Sequence, residues 1–329
     1  MFRQMIALTA FGALTACGDG NPFTTDTGTG TGTTTPATSN VPEAILNDLE
    51  SISFDSSTNT LTVAGLTQDG VPVANSYRHV PTTYTPGSEN VAPFANGFQT
   101  FTAQNDPLGR HVTAFVASRD GVQAGVVMTG GQFNRFFGGS YFDRTGAYVA
   151  PTAPDGGFNV TYTGRYAAGL NSVGPVTDLL ATSGGLDPDV DTPNQTAYIR
   201  GLVFVNVDIN DMSVEGEIYD RTAVLDNSGS PGFLDLTDLV LVEGSLLADG
   251  SFSGNVERDQ SDTTDDVVGN DIGDFAGVIG GASGEFIAGG TKVEDFDTVL
   301  ENEIEYGVFV LDLCTAASTD PVCVNALSP

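Results

Sequence analysis

One stretch of eighteen residues, 273–290, constrains the fold more than any other part of the chain. It reads GDFAGVIGGASGEFIAGG and contains seven glycines. Glycine at this density is compatible with a phosphate-binding loop, a disordered segment or the strands of a strongly bent β-sheet. No Lys-Ser or Lys-Thr pair closes the stretch, and Asp274 and Glu285 would repel an anion, which argues against a phosphate loop.

Large residues and glycine alternate on one face of the segments in and before this stretch. In GSFSGNVE, Phe252, Gly254 and Val256 fall on the same face of a predicted strand. The same pattern begins again at Phe275. A glycine between two large residues lets a strand coil, and an aromatic neighbour covers the gap that the glycine leaves. The pattern therefore favours the strands of a small closed barrel over a disordered segment.

Short alternating segments separated by Gly, Asp and Asn continue through most of the chain, and they predict an antiparallel all-β fold. Besides the glycine-rich hairpin, the predicted strands lie within residues 60–66, 111–118, 120–129, 138–150, 156–170, 196–209, 212–225, 236–247, 249–258 and 305–314. The spacing of apolar residues also predicts two short helices, over residues 42–51 and 174–183.

The first seventeen residues have the pattern of an export signal. Arg3 supplies a positive charge, and an uncharged run of ten residues follows, too short to span a membrane and suited to the core of a signal peptide. The run ends in LTAC, which resembles the bacterial lipobox. That resemblance implies that residues 1–16 are removed and that Cys17 is lipidated, and Gly18 after it favours the outer membrane. The alternative is an ordinary secretory signal with a cysteine near the cleavage site.

Residues 17–40 are expected to connect the lipid to the folded body. Residues 18–40 contain nine threonines and five glycines and almost no apolar side chains. Such a segment buries too little surface to offset its ordering entropy, so a flexible tether of about 25 Å is expected. The remaining 289 residues can form one large β domain or two smaller ones. We place an N-terminal β-rich region at residues 41–119 and the barrel domain at 120–329.

The charge balance excludes one class of partner. The chain has 42 acidic and 11 basic residues, for a formal net charge of −31. A chain this acidic does not bind nucleic acid through phosphate neutralisation, and anionic lipid head groups repel it. Attachment to the outer membrane through a lipid anchor is consistent with that repulsion. The acidity itself fits either solubility in a saline environment or a surface for a basic partner.

Two cysteines remain when Cys17 is assigned to the lipid. An export signal places Cys314 and Cys323 in an oxidising compartment, which predicts a disulfide between them. The bond would tie the C-terminal tail to the last strand and contribute about 2–3 kcal/mol. A metal site is the alternative, but the pair has too few neighbouring ligands.

The hairpins that contain Phe-x-Gly resemble the closing hairpins of bacterial surface lipoproteins related to transferrin-binding protein B. The similarity lies mainly in residues 249–293, which have two Phe-x-Gly strands, a Gly/Ala-rich turn and a return strand containing Phe286. Residues 160–169, VTYTGRYAAG, resemble the Tyr-x-Gly strand that opens such barrels. The resemblance implies a single lobe, in which a handle over residues 41–119 precedes an eight-stranded antiparallel barrel. Ligands across the family include host iron proteins, haem and complement regulators, so the resemblance names no ligand.

No catalytic residues are expected. The chain has only two histidines and lacks the G-x-S-x-G pattern of a nucleophile elbow, so a binding protein is predicted and not an enzyme. If single-lobe haem carriers are the nearest relatives, His79 and His111 are the candidate axial ligands of a haem. Ordinary loop histidines are the alternative.

Two acidic segments are candidates for calcium. Asp187, Asp189 and Asp191 occur at every second position, and residues 259–274 contain six further aspartates. Calcium is bound by several oxygens around a sharp turn, but neither segment completes the EF-hand pattern. Solvated acidic loops are the alternative.

These observations predict a lipid-anchored outer-membrane lipoprotein that captures a protein or small solute through barrel loops or the handle. It would lie on the cell surface or on the periplasmic face. The alternative is a structural or envelope-interaction lipoprotein without a small-molecule ligand. A transmembrane barrel is disfavoured because Glu215 and Glu217 fall on the outer face of a predicted strand, where lipid contact is costly.

Overall fold

The structure is a computed structural model. It describes residues 41–55, 57–66, 75–80, 97–153, 157–175, 178–182, 184, 186–187, 189–227, 230–259, 271–297 and 300–327. The predicted signal peptide, Cys17 and the tether lie outside these residues, as does most of the acidic segment that follows Asp259. Neither helix of the described residues combines the length and the apolar composition needed to cross a membrane.

The described chain is almost entirely β-structure. In chain order its elements are α1 (Glu43–Leu46), β1 (Leu49–Asp55), β2 (Thr60–Gly65), β3 (Asn75–Val80), β4 (Gln99–Ala103), β5 (Val112–Arg119), β6 (Val122–Thr129), β7 (Gly138–Arg144), β8 (Asn159–Val173), β9 (Thr196–Asp208), β10 (Ser213–Asn227), β11 (Ser230–Asp235), β12 (Leu239–Leu246), β13 (Ser251–Arg258), β14 (Asp271–Gly280), β15 (Phe286–Glu294), β16 (Ile304–Leu313) and α2 (Pro321–Ala326).

Eight antiparallel strands close into a barrel, which confirms the predicted fold class. The hydrogen-bonded order is β10-β12-β13-β14-β15-β16-β8-β9, and β9 pairs back with β10. β11 pairs only with the end of β10 and extends it as a hairpin. The period-2 pattern explains the closure: on β9, Val203, Val205 and Val207 are buried in the barrel core, and the residues between them face outward.

Glycines on β13 and β14 make room for phenylalanine rings of the neighbouring strand. Phe252 on β13 pairs with Gly277 on β14, and Gly254 pairs with Phe275. A Cβ atom on Gly277 would lie 2.4 Å from the Phe252 ring, and one on Gly254 would lie 2.5 Å from the Phe275 ring. Each ring thus covers the glycine of the neighbouring strand. The glycine-rich stretch is a bent antiparallel hairpin, as the alternation predicts.

The interior of the barrel is occupied by side chains. Most are aliphatic or aromatic, but a polar group lies among them. Arg221 forms an ion pair with Glu305, and the Tyr166 hydroxyl donates to the other Glu305 carboxylate oxygen at 2.6 Å. Thr291 Oγ1 lies 2.8 Å from the Tyr166 hydroxyl, and the Arg221 guanidinium lies 4.8 Å from the centre of the Phe296 ring. Burial raises the pKa of Glu305, and Arg221 acts in the opposite direction.

A seven-stranded antiparallel sheet, β1 to β7 in sequential order, precedes the barrel. One face of this sheet carries its own core, which includes Phe101 and Val116. The other face packs against the outside of the barrel, where Phe115 and Met128 share a hydrophobic cluster with Val308 of β16. This sheet is the handle of the predicted architecture, and its packing joins it to the barrel in one body.

The extent of the handle differs from the predicted limit at residues 119 and 120. β5 and β6 form a hairpin whose turn, Asp120-Gly121, is closed by Gly121 at a φ of 87°. β6 and β7 therefore pair within the handle sheet and not within the barrel. We propose that the division between the handle and the barrel domain lies after Arg144 and before Asn159.

The helix predictions are only partly met. Helix α1 ends at Leu46, and β1 begins at Leu49 because Leu49 and Ile52 are buried against the handle core. The described part of residues 174–183 is not helical. The backbone amides of Asp178 and Leu180 donate instead to the side chains of Gln195 and Gln104. The sequence pattern predicts none of β1, β3, β4, β11 and α2.

Candidate functional site

The turn between β6 and β7 holds an aromatic residue in an uncommon backbone conformation. Phe133 and Asn134 have φ angles of 55° and 56°, and backbone hydrogen bonds between Gln132 and Arg135 close the turn around them. Asparagine tolerates this left-handed region, but a bulky residue rarely adopts it. The Phe133 side chain is 61% exposed, so burial does not compensate the strain. Strain of this kind is often associated with function.

Two side chains from distant parts of the chain hold this turn. The Asp191 carboxylate accepts a hydrogen bond from the backbone amide of Phe133 at 2.5 Å. The Gln132 amide donates to the carbonyl oxygens of Leu108 and Asp191 at 2.9 and 3.2 Å. The turn is therefore fixed to the loop between β4 and β5 and to the loop between β8 and β9.

Arg110 also forms hydrogen bonds to this turn. Its guanidinium donates to the carbonyl oxygens of Arg135 and Gln132 at 3.0 and 3.2 Å and lies 4.8 Å from the centre of the Phe137 ring. Burial and the nearby Arg135 lower the pKa of Arg110, and Asp191 acts in the opposite direction. Two guanidinium groups thus lie close together in a chain that is acidic overall.

Exposed apolar side chains surround the turn. The carbonyl oxygen of Leu108 accepts from Gln132, and Val190 directly precedes Asp191 in the chain. The side chains of Leu108 and Val190 are both exposed. We call the surface formed by Leu108, Arg110, Phe133, Arg135 and Val190 the handle tip. It combines a projecting aromatic ring, aliphatic neighbours and arginine, the residue types that are enriched in the centres of protein interfaces.

His111 lies beneath the handle tip. Its side chain is 0% exposed, and its Nε2 atom lies 3.5 Å from the Asp178 carboxylate, which also accepts a hydrogen bond from Thr102 at 2.5 Å. The backbone carbonyl of His111 accepts from the amide of Gly130 at 2.9 Å. His111 therefore contributes to the support of the β6–β7 turn from a buried position.

The second candidate haem ligand, His79, lies on β3. Its backbone partner is Phe101 on β4, and Phe101 pairs in turn with Ala114 on β5. The side chain of His79 is outside the described part of the structure. β4 thus separates the two histidines along the sheet, and their joint ligation of a haem stays a prediction.

The three candidate calcium ligands do not converge in the described structure. Asp191 accepts from the amide of Phe133, and the Asp187 carboxylate accepts from the amide of Asp189 at 3.0 Å. Among the described residues, another group of three has carboxylate oxygens within 4.8 Å of one another. It consists of Glu217, Asp238 and Asp259. Calcium binding by residues 187–191 stays a prediction.

Glu217 and Asp238 are two carboxyl groups whose environment makes ionisation less favourable. Burial is the main cause that raises the pKa of Glu217, and Asp238 and Asp259 add to it. Burial likewise raises the pKa of Asp238, against the effect of Arg221. When the pKa of a carboxyl group is higher in the folded chain than in the unfolded chain, the free energy of unfolding falls as the pH rises through the folded pKa.

We therefore expect Asp238→Asn to raise the denaturation midpoint above that of the wild type at about pH 7. The gain should shrink as the pH is lowered to about 4, because protonation then removes the partly buried charge, and with it the repulsion, in the wild type as well. Thermal melts over this pH range measure the difference, with Asp235→Asn on exposed β11 as the control. A gain that does not change with pH would contradict this explanation.

Cys314 and Cys323 form a disulfide, with their Cα atoms 5.1 Å apart. The amide of Cys314 donates to the carbonyl of Thr161 on β8, and Cys323 lies in α2. The C-terminal tail is thereby held against the outside of the barrel.

The strain at the β6–β7 turn leads to a stability prediction. Phe133→Asn should increase the free energy of unfolding by about 1 kcal/mol, because asparagine adopts the left-handed region at lower cost. Chemical denaturation measures the change. Phe158, which is 60% exposed and has no positive φ, provides the matched control, and Phe158→Asn should change stability little. A loss of stability in Phe133→Asn would mean that the ring contributes packing to the fold.

Comparisons with known proteins return structural matches only. No protein-family model and no curated protein matches the chain. A double mutant of transferrin-binding protein B from Haemophilus parasuis Hp5 matches over 77% of this chain and 51% of its own, at 12% identity and a TM-score of 0.38. Transferrin-binding protein B from serogroup B Neisseria meningitidis matches over 78% of this chain and 50% of its own, at 13% identity and a TM-score of 0.34.

A structure described as a surface lipoprotein matches over 80% of this chain and 97% of its own, at 14% identity and a TM-score of 0.33. The chain spans about half the length of the transferrin-binding proteins that it matches. The barrel assignment itself rests on the strand order. Transferrin-binding protein B, to whose relatives the Phe-x-Gly hairpins are similar, is among the solved structures that match this chain.

Proposed function

We propose that this chain is a lipid-anchored lipoprotein of the outer membrane that binds a protein partner through the handle tip. The exposed, strained Phe133 is the observation that carries the proposal. The anchor rests on the sequence around Cys17, and the tether of residues 17–40 would hold the body away from the lipid surface. Binding, and not catalysis, is the role that fits a projecting surface of this kind.

A protein partner fits the handle tip better than a small solute does. The barrel core is filled by side chains, so the interior offers little room for a ligand. The handle tip projects an aromatic ring instead of enclosing a pocket, and such rings act as anchors when they enter a pocket on a partner. Arg110 and Arg135 add a positive edge to this surface, which favours a partner with carboxylates around its apolar pocket.

Haem capture by His79 and His111 remains a separate prediction. His111 is fully buried under the handle tip, so a haem could reach its ring only if the loops that carry Asp178 and Gly130 moved. Haem titration of the purified protein, with His111→Ala for comparison, tests it by the position of the Soret band. A Soret shift in the wild type that is lost in His111→Ala would support a haem-binding role.

Site-specific photocrosslinking tests the protein-partner proposal directly. A photoreactive amino acid is placed at position 133 or, as the control, at position 158, in cells that produce the full chain. Phe158 is as exposed as Phe133 but precedes β8, at the end of that strand opposite the loop that contacts the turn. We expect a discrete adduct from position 133 only. Equal adducts at both positions, or none at position 133, would contradict the proposal.

Orientation is tested in the same cells by protease shaving, with a tag after Pro329. Loss of the tag while a periplasmic control protein survives would support a body exposed on the cell surface. Protection of the tag would support the periplasmic face. A protected body without an adduct at position 133 would favour the alternative role as a structural lipoprotein of the envelope.

A further inference from the structure

A second concave feature lies between the handle and the barrel, away from the handle tip. It is a cleft of about 320 Å³ with walls from three parts of the chain. β5 and the two residues before β4 form one side, β8 and β16 form the other, and residues 318–323 of the C-terminal tail complete it. The volume is at the lower end of the range for small-molecule sites.

The floor of this cleft is apolar. Phe98, Ala117 and Val310 line it, and all three are buried in the cluster that joins the handle to the barrel. The tail that forms one wall is fixed by the disulfide, because Cys323 itself lines the cleft. The cleft is therefore bounded by packed elements, and an apolar part of a ligand would contact the Phe98 ring.

The rim of the cleft is unusually basic for this chain. Arg119 and Arg165 both line it, together with Asp312 and Asp320. The chain as a whole has about four acidic residues for each basic one, from 42 and 11, whereas the cleft has equal numbers. Two guanidinium groups at one small cleft are therefore a local departure from the acidic surface.

The two carboxylates of the rim already have partners. Asp312 lies 3.5 Å from the Arg119 guanidinium, and Asp320 accepts from the amide of Val322 at the start of α2. The side chain of Arg165, by contrast, is exposed and makes no hydrogen bond or ion pair within the described residues. Of the two guanidinium groups, the one without a carboxylate partner among the described residues is thus that of Arg165.

We infer that this cleft binds a small organic carboxylate, whose anionic end pairs with Arg165 and whose apolar body lies on Phe98. Guanidinium groups bind carboxylates through two parallel hydrogen bonds. A phosphate dianion fits less well, because its second charge would meet Asp312 and Asp320. The site is separate from the handle tip and does not depend on the protein-partner proposal.

Ligand-observed NMR on the purified full-length protein tests the inference with phenylacetate as the probe. Phenylacetamide has the same shape without the charge and should not bind. We expect Arg165→Gln to weaken phenylacetate binding by about tenfold or more, because it removes a charge-assisted bidentate contact. Arg200→Gln is the matched control: Arg200 is exposed on the neighbouring strand β9, lies 5.6 Å from the centre of the Phe233 ring and is outside the cleft.

Three results would overturn the inference. The first is equal binding of phenylacetate and phenylacetamide, since the charge would then have no role. The second is phenylacetate binding that Arg165→Gln leaves unchanged or that Arg200→Gln weakens equally. The third is that none of phenylacetate, the shorter acetate and the longer 3-phenylpropionate binds to a protein whose thermal melt shows that it is folded.

Discussion

Replacing Glu305 with leucine is expected to lower the free energy of unfolding by about 3–5 kcal/mol. Glu305 and Arg221 form an ion pair inside the barrel, where both side chains are 0% exposed. The substitution would leave the Arg221 guanidinium buried without a counter-charge. It would also remove the acceptor of the Tyr166 hydroxyl, which is 2.6 Å away. Chemical denaturation of the wild type and the variant measures the loss.

The double variant Arg221→Met/Glu305→Leu separates the penalty of an unpaired charge from the contribution of the pair. Removing both partners is often neutral, because the desolvation cost of the pair disappears with its attraction. We therefore expect the double variant to recover most of the stability that Glu305→Leu loses.

A surface ion pair provides the matched control. Lys292 lies 2.7 Å from Glu294 on β15, and both side chains are partly exposed to solvent. Glu294→Leu should change the free energy of unfolding by less than about 1 kcal/mol, since water screens such pairs. If Glu305→Leu lowers the free energy of unfolding no more than Glu294→Leu does, leaving Arg221 without its counter-charge does not destabilise the barrel as expected.

The barrel could be predicted from the sequence because its information is local. The spacing of Phe252, Gly254 and Phe275 within neighbouring hairpins specifies which faces are covered by rings and which strands must bend. Antiparallel strands that follow one another in the chain from β8 to β16 pair in order, with β11 extending β10, and closure requires only one further pairing, between β8 and β16. The handle was harder to delimit, because β6 is an apolar strand that is buried along almost its whole length, and only its pairing partners distinguish it from a barrel strand.

The buried pair was outside the reach of pattern analysis. Glu305 is a charged residue directly before the apolar run 306–311 of β16, which is a local signal of an unusual environment. Its partner, Arg221, lies 84 residues earlier and reaches the same interior only after the barrel closes. β10 and β16 are separated in the barrel by β8 and β9, so no spacing rule in the sequence connects Arg221 with Glu305.

The candidate site was predicted in part. His111 and Asp191 were selected for haem and calcium, and the structure brings both to the loops that support the Phe133 turn. The turn itself has a sequence signal, because an asparagine follows Phe133 between two hydrophobic segments. Its exposure and its left-handed backbone depend on Asp191 and Arg110, which arrive from other loops, so only the folded chain reveals them.

Substituting alanine for Gly277 is expected to lower the free energy of unfolding by about 1–3 kcal/mol through overpacking. The added Cβ atom would lie 2.4 Å from the Phe252 ring and 2.8 Å from the carbonyl oxygen of Ala288 on β15. The ring can move only by leaving its place over the glycine, and the carbonyl belongs to a paired strand that cannot shift alone. Denaturant midpoints of the wild type and the variant measure the cost.

Gly184→Ala is the control for the loss of a glycine as such. A Cβ atom on Gly184 would meet nothing within 4 Å, so this variant should stay within about 0.5 kcal/mol of the wild type. The double variant Gly277→Ala/Phe252→Leu should recover only part of the loss, because the Ala288 carbonyl still opposes the Cβ atom. Equal stability of Gly277→Ala and Gly184→Ala would remove the physical basis of the large-glycine-large pattern, since the ring would then not need the glycine beneath it.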